Sequence, residues 1–448
     1  MTAIFWFRRD LRLSEHRALV EAAKRGAVAA LVNLQDLLDL VKLSPTRANS
    51  LYASWVRFND SIGGNLNVVA NAVETIASLD SGLFPSVHVS AAYDPQSIAQ
   101  MKPARAAIEA SGKQFVVGDG NYLVKPGTVR KPDGSPYRVF SPFYKGWLTN
   151  LNFEATVVPE VRWEKLPLDN LGLRVDGWQA PKRLPVAGEV YALETLKRFI
   201  DKGAADRYKE IRDRADLSGT SHLSHALAHG EIHPRTIANA VQGHASAESY
   251  IRELAWREFY ADVLWHNPSS LTEYLDPKFA KMRYDDGTEI GEQRFEAWCQ
   301  GKTGYPMVDA GMRQLLRDGW VHNRVRMIVA SFLVKDLHIE WQRGAAWFEK
   351  NLTDYDPASN SQGWQWTAGC GTDAAPYFRV FNPVLQGLKF DPDGDYVRKY
   401  VSELAHIDGA AIHEPWTQAV STDYPARIVD HSAERDEALL RLEELKSL

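Results

Sequence analysis

The 448-residue chain has only two cysteines, Cys299 and Cys370, and no CxxC pair. That excludes a disulfide scaffold and a cysteine-rich zinc site, and it suits a reducing cytosol. No apolar run approaches the roughly 18 residues that a membrane-spanning helix needs, so no membrane partner is expected. The N-terminus, MTAIFWFRRDLRL, is a short apolar run followed by charges, which is not the pattern of a secretory signal. No GxGxxG follows its first apolar run, so the dinucleotide fingerprint is missing. Internal repeats and low-complexity tracts are missing too. A net charge of −5 argues against non-specific nucleic-acid binding. Local field governs such binding, however, and a local basic patch is not excluded by the total.

What the chain does have is the composition of a soluble globular protein, 45% hydrophobic and 24% charged, at a length that calls for two or three domains. Short apolar runs at 3–7, 27–33, 86–90 and 114–117 read as strands, and helical patterns at 15–24 and 104–109 lie between them. This alternation predicts an α/β domain with a parallel sheet over 1–130. Residues 131–189, rich in Pro, Gly and isolated Trp, read as a linker wrapped over the surface. From 190 to 448 the pattern turns helical. Val308, Met312, Leu315 and Leu316 form one apolar stripe, and ERDEALLRLEELKSL closes the chain as a charged amphipathic helix.

Residues 302–382 are the densest in chemistry. Trp320, Trp341, Trp347, Trp364 and Trp366 fall there, interleaved with Asn323, Arg324, Arg326, Asp354, Asp356, Asn360 and Arg379. A core alone does not need so many indoles beside so many amides and charges. A site for a flat, polar-edged ring system and a nucleic acid needs both. Asn323 and Met327 make an i, i+4 pair, and Arg326 is a partner for Asp354 or Asp356 in a bidentate contact. A line of oxidisable tryptophans can also carry an electron, although a core role is the ordinary one for each. Upstream, Thr220, Ser221 and Ser224 offer three hydroxyls at a helix start, which can cradle phosphate oxygens or simply cap the helix. Glu253 and Trp256 share one helix side, with Arg257 and Tyr260 extending it. His222, His225, His229 and His233 have helical spacing but no acidic or cysteine ligand beside them, so no metal is assigned.

The order and spacing of these motifs resemble the photolyase/cryptochrome family, most closely a class I cyclobutane pyrimidine dimer photolyase. The resemblance runs through FWFRRDLRL at 5–13, the stretch 220–224, WREFY at 256–260, KTGYP at 302–306, residues 320–327, GWQW at 363–366 and GTDAAPYFRVFNP at 371–383. It implies a Rossmann-like α/β antenna domain, a linker and an all-α C-terminal FAD-binding domain. The implied activity is light-dependent repair of cyclobutane pyrimidine dimers, by electron transfer from photoexcited reduced FAD to a flipped-out dimer. The implied partner is UV-damaged DNA, met by a cytoplasmic monomer.

By the same resemblance, Tyr208, Thr220, Ser221, His222, Leu223 and Ser224 hold the FAD pyrophosphate region. Arg257, Asn323, Arg326, Asp354, Tyr355 and Asp356 line the cofactor, and Asn360 faces flavin N5. Glu253, Trp256, Asn323, Met327 and Trp366 match the lesion-binding positions, with Arg257 and Tyr260 beside them. Arg212, Arg324, Arg379 and Gln386 match DNA contacts. Trp364 and Trp341 match the inner members of the photoreduction chain, whose outermost tryptophan has no counterpart; Tyr284 is the nearest candidate. A second, antenna chromophore of deazaflavin or folate type is implied. The segment AAYDPQSIAQMKPAR lacks the glutamate typical of folate sites, and LSEH at 13–16 replaces the usual acidic-Asn pair.

Three rivals remain distinct. A signalling cryptochrome predicts an altered lesion pocket and usually a long C-terminal tail. A (6-4) photoproduct enzyme has paired histidines where this chain has WVHNRVRM. A non-flavin DNA-binding module predicts no flavin absorbance.

Overall fold

The structure is a computed structural model that describes residues 1–168, 171–173, 181, 183–373, 379–418 and 423–447. In chain order the strands are β1 (Thr2–Trp6), β2 (Ala27–Asn33), β3 (Asn67–Val69), β4 (Ser86–Ser90) and β5 (Gln114–Gly118). The helices up to residue 266 are α1 (Arg17–Ala23), α2 (Leu34–Leu43), α3 (Pro45–Ser61), α4 (Ala72–Ser78), α5 (Pro95–Ala110), α6 (Phe140–Thr149), α7 (Glu189–Asp201), α8 (Ala204–Ile211), α9 (Ser224–His229), α10 (Pro234–Val241) and α11 (Ala247–His266). Beyond them follow α12 (Glu289–Cys299), α13 (Pro306–Asp318), α14 (Asn323–Lys335), α15 (Trp341–Asn351), α16 (Pro357–Ala368), α17 (Pro383–Phe390), α18 (Asp395–Tyr400) and α19 (His431–Lys446). Two compact units emerge. One comprises 1–137, 141–206 and 221–266, the other 138–140, 207–220 and 267–448.

The first unit holds a parallel sheet of order β3-β2-β1-β4-β5. β1 and most of β2 are buried on both faces, which is why they read as continuous apolar runs. One face packs Phe5, Phe7, Val28 and Val32 against Leu19, Trp55 and Phe58. The other packs Ile4, Trp6 and Val87 against Ile76 and Ile108. β3 escapes a periodicity reading because it has three residues. α5 starts nine residues before the expected position, at the Asp94 cap, whose carboxylate accepts from the Ser97 N–H at 2.9 Å, and it accommodates Pro103 in its interior. Part of the expected linker pairs with the sheet, since Val28 N–H donates to the Arg162 carbonyl and Glu164 N–H to the Val28 carbonyl, both at 2.9 Å. The linker residues 169–170, 174–180 and 182 lie outside the described residues.

The FRRDLRL segment is a buried polar hub. The Arg12 guanidinium is 1% exposed and donates to Asn121 Oδ1 at 2.6 Å and to the carbonyls of Gly230, Ser14 and Glu15 at 3.0, 3.1 and 3.2 Å. Burial lowers its pKa to about 10, still far above neutrality, so it stays charged. Arg235 pairs with Glu15 at 3.1 Å, and His16 caps α1 by accepting from the Leu19 N–H at 3.3 Å. Gly230 ends α9 in the left-handed region at φ +67, where a Cβ would overlap the Arg9 carbonyl.

The second unit is helical. Its core gathers Trp298, Trp341 and Trp364 with Phe332, Leu333 and Phe348. Val308, Met312 and Leu315 are buried there as expected, but Leu316 is 48% exposed. The eighth residue after Val308 has rotated to the edge of the stripe, beyond the reach of the core. The closing helix forms as α19. Among the described residues no helix is long and apolar enough to cross a membrane.

Gly230→Ala tests the hub. Left-handed strain of about 1–2 kcal/mol and overpacking of about 1–3 kcal/mol act together, so the urea midpoint should fall by the equivalent of about 2–5 kcal/mol. An unchanged midpoint would contradict the packing.

Candidate functional site

In the first unit the loop before α9 does not use its hydroxyls as the cap. The N-cap is Leu223, with no side-chain cap bond, and His222 takes φ +54. Ser221 shares a hydrogen bond with the buried Tyr250 hydroxyl at 2.6 Å. The capping alternative therefore fails for Ser221 and Ser224. On α11, Glu253, Trp256, Arg257 and Tyr260 are all half-buried. Trp256 packs against Phe259 and Tyr260 with ring centroids 5.7 and 5.5 Å apart. Arg257 turns to its own unit, donating to the Asn121 carbonyl at 2.8 Å and lying 4.6 Å from the Tyr122 ring. Glu258 in the same WREFY motif is a structural carboxylate that composition did not single out. Buried at 2% exposure, it accepts from the N–H groups of Leu123 and Val124 and the Trp147 indole at 2.5, 2.9 and 2.7 Å. Burial pushes its pKa up to about 7 against the pull of those donors. Of the four histidines, His225 and His229 pack ring to ring at 4.5 Å, and His233 caps α10.

In the second unit α14 carries Asn323, exposed, and Met327, half-buried. Arg326 reaches Asp354 at 2.7 Å with one nitrogen while its Nε donates to the Val321 carbonyl at 2.7 Å, so the expected bidentate contact becomes a single bond to the carboxylate. Asp356 instead caps α16, accepting from the Ser359 N–H at 2.8 Å. The other Asp354 oxygen, Oδ1, is buried with no hydrogen-bond partner among the described residues. Such an atom is normally satisfied, so it marks a place for a ligand donor. Tyr355 packs against the core.

α16 is the centre of this unit. Asn360 donates from Nδ2 to the Ala345 carbonyl of α15 at 3.1 Å, which leaves its side-chain oxygen as the free end of the amide. One turn on, a Cβ at Gly363 would meet nothing within 4 Å, so an open space lies against the helix there. Another turn on, the half-buried Trp366 is held by its indole N–H on the Asp373 carbonyl at 3.1 Å. Asn360, Gly363 and Trp366 thus line one side of α16 at intervals of three. Trp364 faces the other way and is 3% exposed. Its ring lies on Gly344 of α15, and it meets Phe348 at 5.1 Å and Trp298 at 6.1 Å. Trp341 is buried at the start of α15, with Tyr274 edge-on at 6.1 Å and Tyr284 stacked on Tyr274 at 6.4 Å. Tyr274 was not legible as a member of this line because it lies ten residues before Tyr284 in an irregular segment.

The DNA candidates differ in their surroundings. Arg324 pairs with Asp213 at 3.0 Å and lies 4.5 Å from the Phe390 ring. Arg212 lies 5.5 Å from the ring of the buried Tyr208. Arg379 is exposed, with its backbone carbonyl held by the buried Lys335 ammonium at 2.5 Å. Gln386 is half-buried on α17. Thr220 is half-buried at the end of its segment. Residues 374–378 of the GTDAAPYFRVFNP motif lie outside the described residues.

Comparison with known proteins decides the family. Residues 3–162 match the DNA photolyase model, and 250–444 match the FAD binding domain of DNA photolyase. The chain belongs to the DNA photolyase family. A deoxyribodipyrimidine photo-lyase of Alkalihalophilus pseudofirmus is 36% identical over 97% of this chain and 96% of its own length. The one of Escherichia coli is 33% identical over 99% and 98%. A bacterial class III photolyase of Agrobacterium tumefaciens superposes with TM-score 0.90 and 35% identity, covering 100% of this chain and 98% of its own. This photolyase is therefore a deoxyribodipyrimidine photo-lyase that uses FAD in the light-driven repair of pyrimidine dimers in DNA. The residues present suit the cofactor: an orphaned buried carboxylate oxygen, an amide with its acceptor end free and an open space beside Gly363 all lie in the FAD-domain match.

Gly344→Ala probes the α15–α16 contact. Alanine gains up to about 1 kcal/mol of helix propensity, but a methyl there overlaps Trp364 and Leu333, and overpacking costs about 1–3 kcal/mol. Chemical denaturation should show a net loss of up to about 2 kcal/mol once the full propensity gain is subtracted. A gain would mean that the ring has room to move.

Proposed function

We propose the following division of labour among the residues of this photolyase. In the second unit Asn360 presents its carbonyl oxygen to the flavin N5–H, Arg326 with Asp354 takes polar edges of the cofactor, and Tyr355 and Asp356 flank it. Asn323 lies at the cofactor and the lesion. In the first unit Ser221, His222, Leu223 and Ser224 serve the pyrophosphate, as do Thr220 and Tyr208 from the second. The observation that carries this reading is the Asn360 side chain, whose donor end is occupied by the Ala345 carbonyl at 3.1 Å. An amide oriented that way keeps its carbonyl oxygen available to accept from a ligand N–H.

When bound and reduced, FAD supplies one electron to the dimer under light and receives it back after the cyclobutane ring has split. The chain positions the lesion and stabilises its charge. A dimer-kinked duplex flips its lesion out more readily than intact DNA. Trp366 offers a stacking face fixed by its bond to Asp373. Trp256 on α11 offers a second aromatic face, Met327 an adaptable apolar contact, and Glu253 a hydrogen bond to the anion that develops on the pyrimidine. Arg212, Arg324, Arg379 and Gln386 serve the phosphates, with Arg257 and Tyr260 near the strand. Trp364 and Trp341 carry electrons inward to reload the cofactor, and Tyr284 belongs to the aromatic cluster beside Trp341. The enzyme works as a monomer in the cytoplasm, a setting that suits two buried free cysteines.

The antenna reading has its own support. Strand order reverses between β1 and β4, and ligands of such sheets bind at the carboxyl ends of the strands there. At that end of β1 the buried Trp6 indole N–H has no acceptor among the described residues. A deazaflavin or folate chromophore at this edge would supply one.

Stacking and phosphate contacts separate in a salt series. Trp366→Ala should erode the preference for dimer-containing over intact DNA by the equivalent of about 1–3 kcal/mol. Arg379→Ala should weaken both and lower the log–log salt slope by about 0.9. Equal loss on both DNAs for Trp366→Ala would sink the lesion assignment.

A further inference from the structure

The aromatic line in the second unit does not stop at Trp341. Tyr274 sits edge-on to Trp341 with ring centroids 6.1 Å apart and an interplanar angle of 86°. Its hydroxyl donates to Glu340 Oε1 at 3.1 Å, and Glu340 is the residue directly before Trp341. A half-buried phenol thus lies against a fully buried indole and has a carboxylate on its proton. Tyr284 stacks against Tyr274 at 6.4 Å and 22°.

The segment that carries Tyr274 is anchored to α16 itself. Gln365, between Trp364 and Trp366, is buried and accepts from the Leu275 N–H at 2.7 Å. Its amide donates to the carbonyls of Ser270 and Glu273 at 2.8 and 3.3 Å. One side chain therefore fixes the tyrosine loop to the helix that bears the innermost tryptophan.

Another aromatic route leads nowhere. Trp298 meets Trp364 at 6.1 Å, but it is fully buried and its indole N–H is bound to the Val329 carbonyl at 3.0 Å. A carbonyl oxygen cannot keep a proton, so a hole on Trp298 has no way to become neutral. The carboxylate of Glu340 can keep one.

We propose that Tyr274 is the terminal one-electron donor of this photolyase and that Glu340 is its proton acceptor. The proposal rests on the reading that Trp364 and Trp341 reload the cofactor. The step balances as follows. The Trp341 radical cation gains one electron from the Tyr274 phenol and becomes neutral. The phenolic O–H bond breaks, its proton passes along the existing hydrogen bond, and an O–H bond forms on the Glu340 carboxylate. The products are neutral tryptophan, a neutral tyrosyl radical and a carboxylic acid. An external thiol then restores the phenol by giving one electron and one proton, and Glu340 returns its proton to water. Proton loss traps the hole, because return of the electron must now wait for return of the proton. Tyr284 is the ring packed beside Tyr274 in this scheme and not the site of the radical.

Flash excitation of the holoprotein loaded with oxidised FAD tests this, read by electron paramagnetic resonance and transient absorption with no DNA present. The parent should pass from a tryptophanyl to a tyrosyl signal, and the passage should slow in D2O. Tyr274→Phe should lose the tyrosyl signal, with the tryptophanyl radical recombining faster than in the parent. Tyr284→Phe should keep it. Glu340→Gln preserves shape and an acceptor oxygen but cannot hold the proton, so the tyrosyl yield should fall and the isotope effect should disappear. Flavin absorbance of each variant reports that the cofactor is bound. A tyrosyl signal that survives Tyr274→Phe, or that is lost only in Tyr284→Phe, overturns the assignment. An unchanged yield and isotope effect in Glu340→Gln overturns the acceptor role. A parent that binds FAD and forms no tryptophanyl radical overturns the underlying reading instead, and the proposal falls with it.

Discussion

The contact between α15 and α16 is the constraint on which the second unit depends. It is set by a missing side chain, because Gly344 lets the Trp364 indole lie directly on the α15 backbone. At that spacing the Asn360 amide reaches the Ala345 carbonyl, and Trp341 is buried at the start of the same α15. Close packing in a dense core leaves little slack, so a small displacement of either helix would move all three groups together. One helix then has two uses. Its Asn360–Gly363–Trp366 side borders open space, and its Trp364 side is buried in a ring cluster. The proposed division puts repair on the first side and reloading on the second.

The most recognisable stretch of sequence has a different role. FRRDLRL looks like a binding motif because it is cationic, yet Arg12 is buried and fully engaged with carbonyls and an amide. Its charge is tolerable there only because several acceptors surround it. The same holds for Glu258 in WREFY, which ties a loop through three donors. Motif residues that define a family are therefore of two kinds. Some are proposed to face ligand, and others hold buried loops that have no secondary structure of their own.

Much of the architecture was legible. Short apolar runs located four of the five strands within a residue or two, and β1 and β2 run continuously apolar because both of their faces are covered. β3 was lost to its three-residue length, and α5 was shortened because Pro103 reads as a breaker although it sits inside the helix. Leu316 was placed one side chain too far round α13. In the site, the i, i+4 spacing of Asn323 and Met327 could be read from the chain, as could an acidic partner for Arg326, but not which of Asp354 and Asp356 it would be. The orientation of the Asn360 amide could not, since it depends on a carbonyl fifteen residues away. Nor could Tyr274, whose position follows from the tertiary bonds of Gln365.

The account separates reloading of the cofactor from repair, and places Trp364 in the first alone. The most direct measurement is the single-turnover quantum yield of dimer splitting by chemically pre-reduced holoprotein, parent against Trp364→Phe, with photoreduction of the oxidised form followed in parallel. The predicted result is lost photoreduction with an unchanged splitting yield. A splitting yield that falls together with photoreduction would contradict the account.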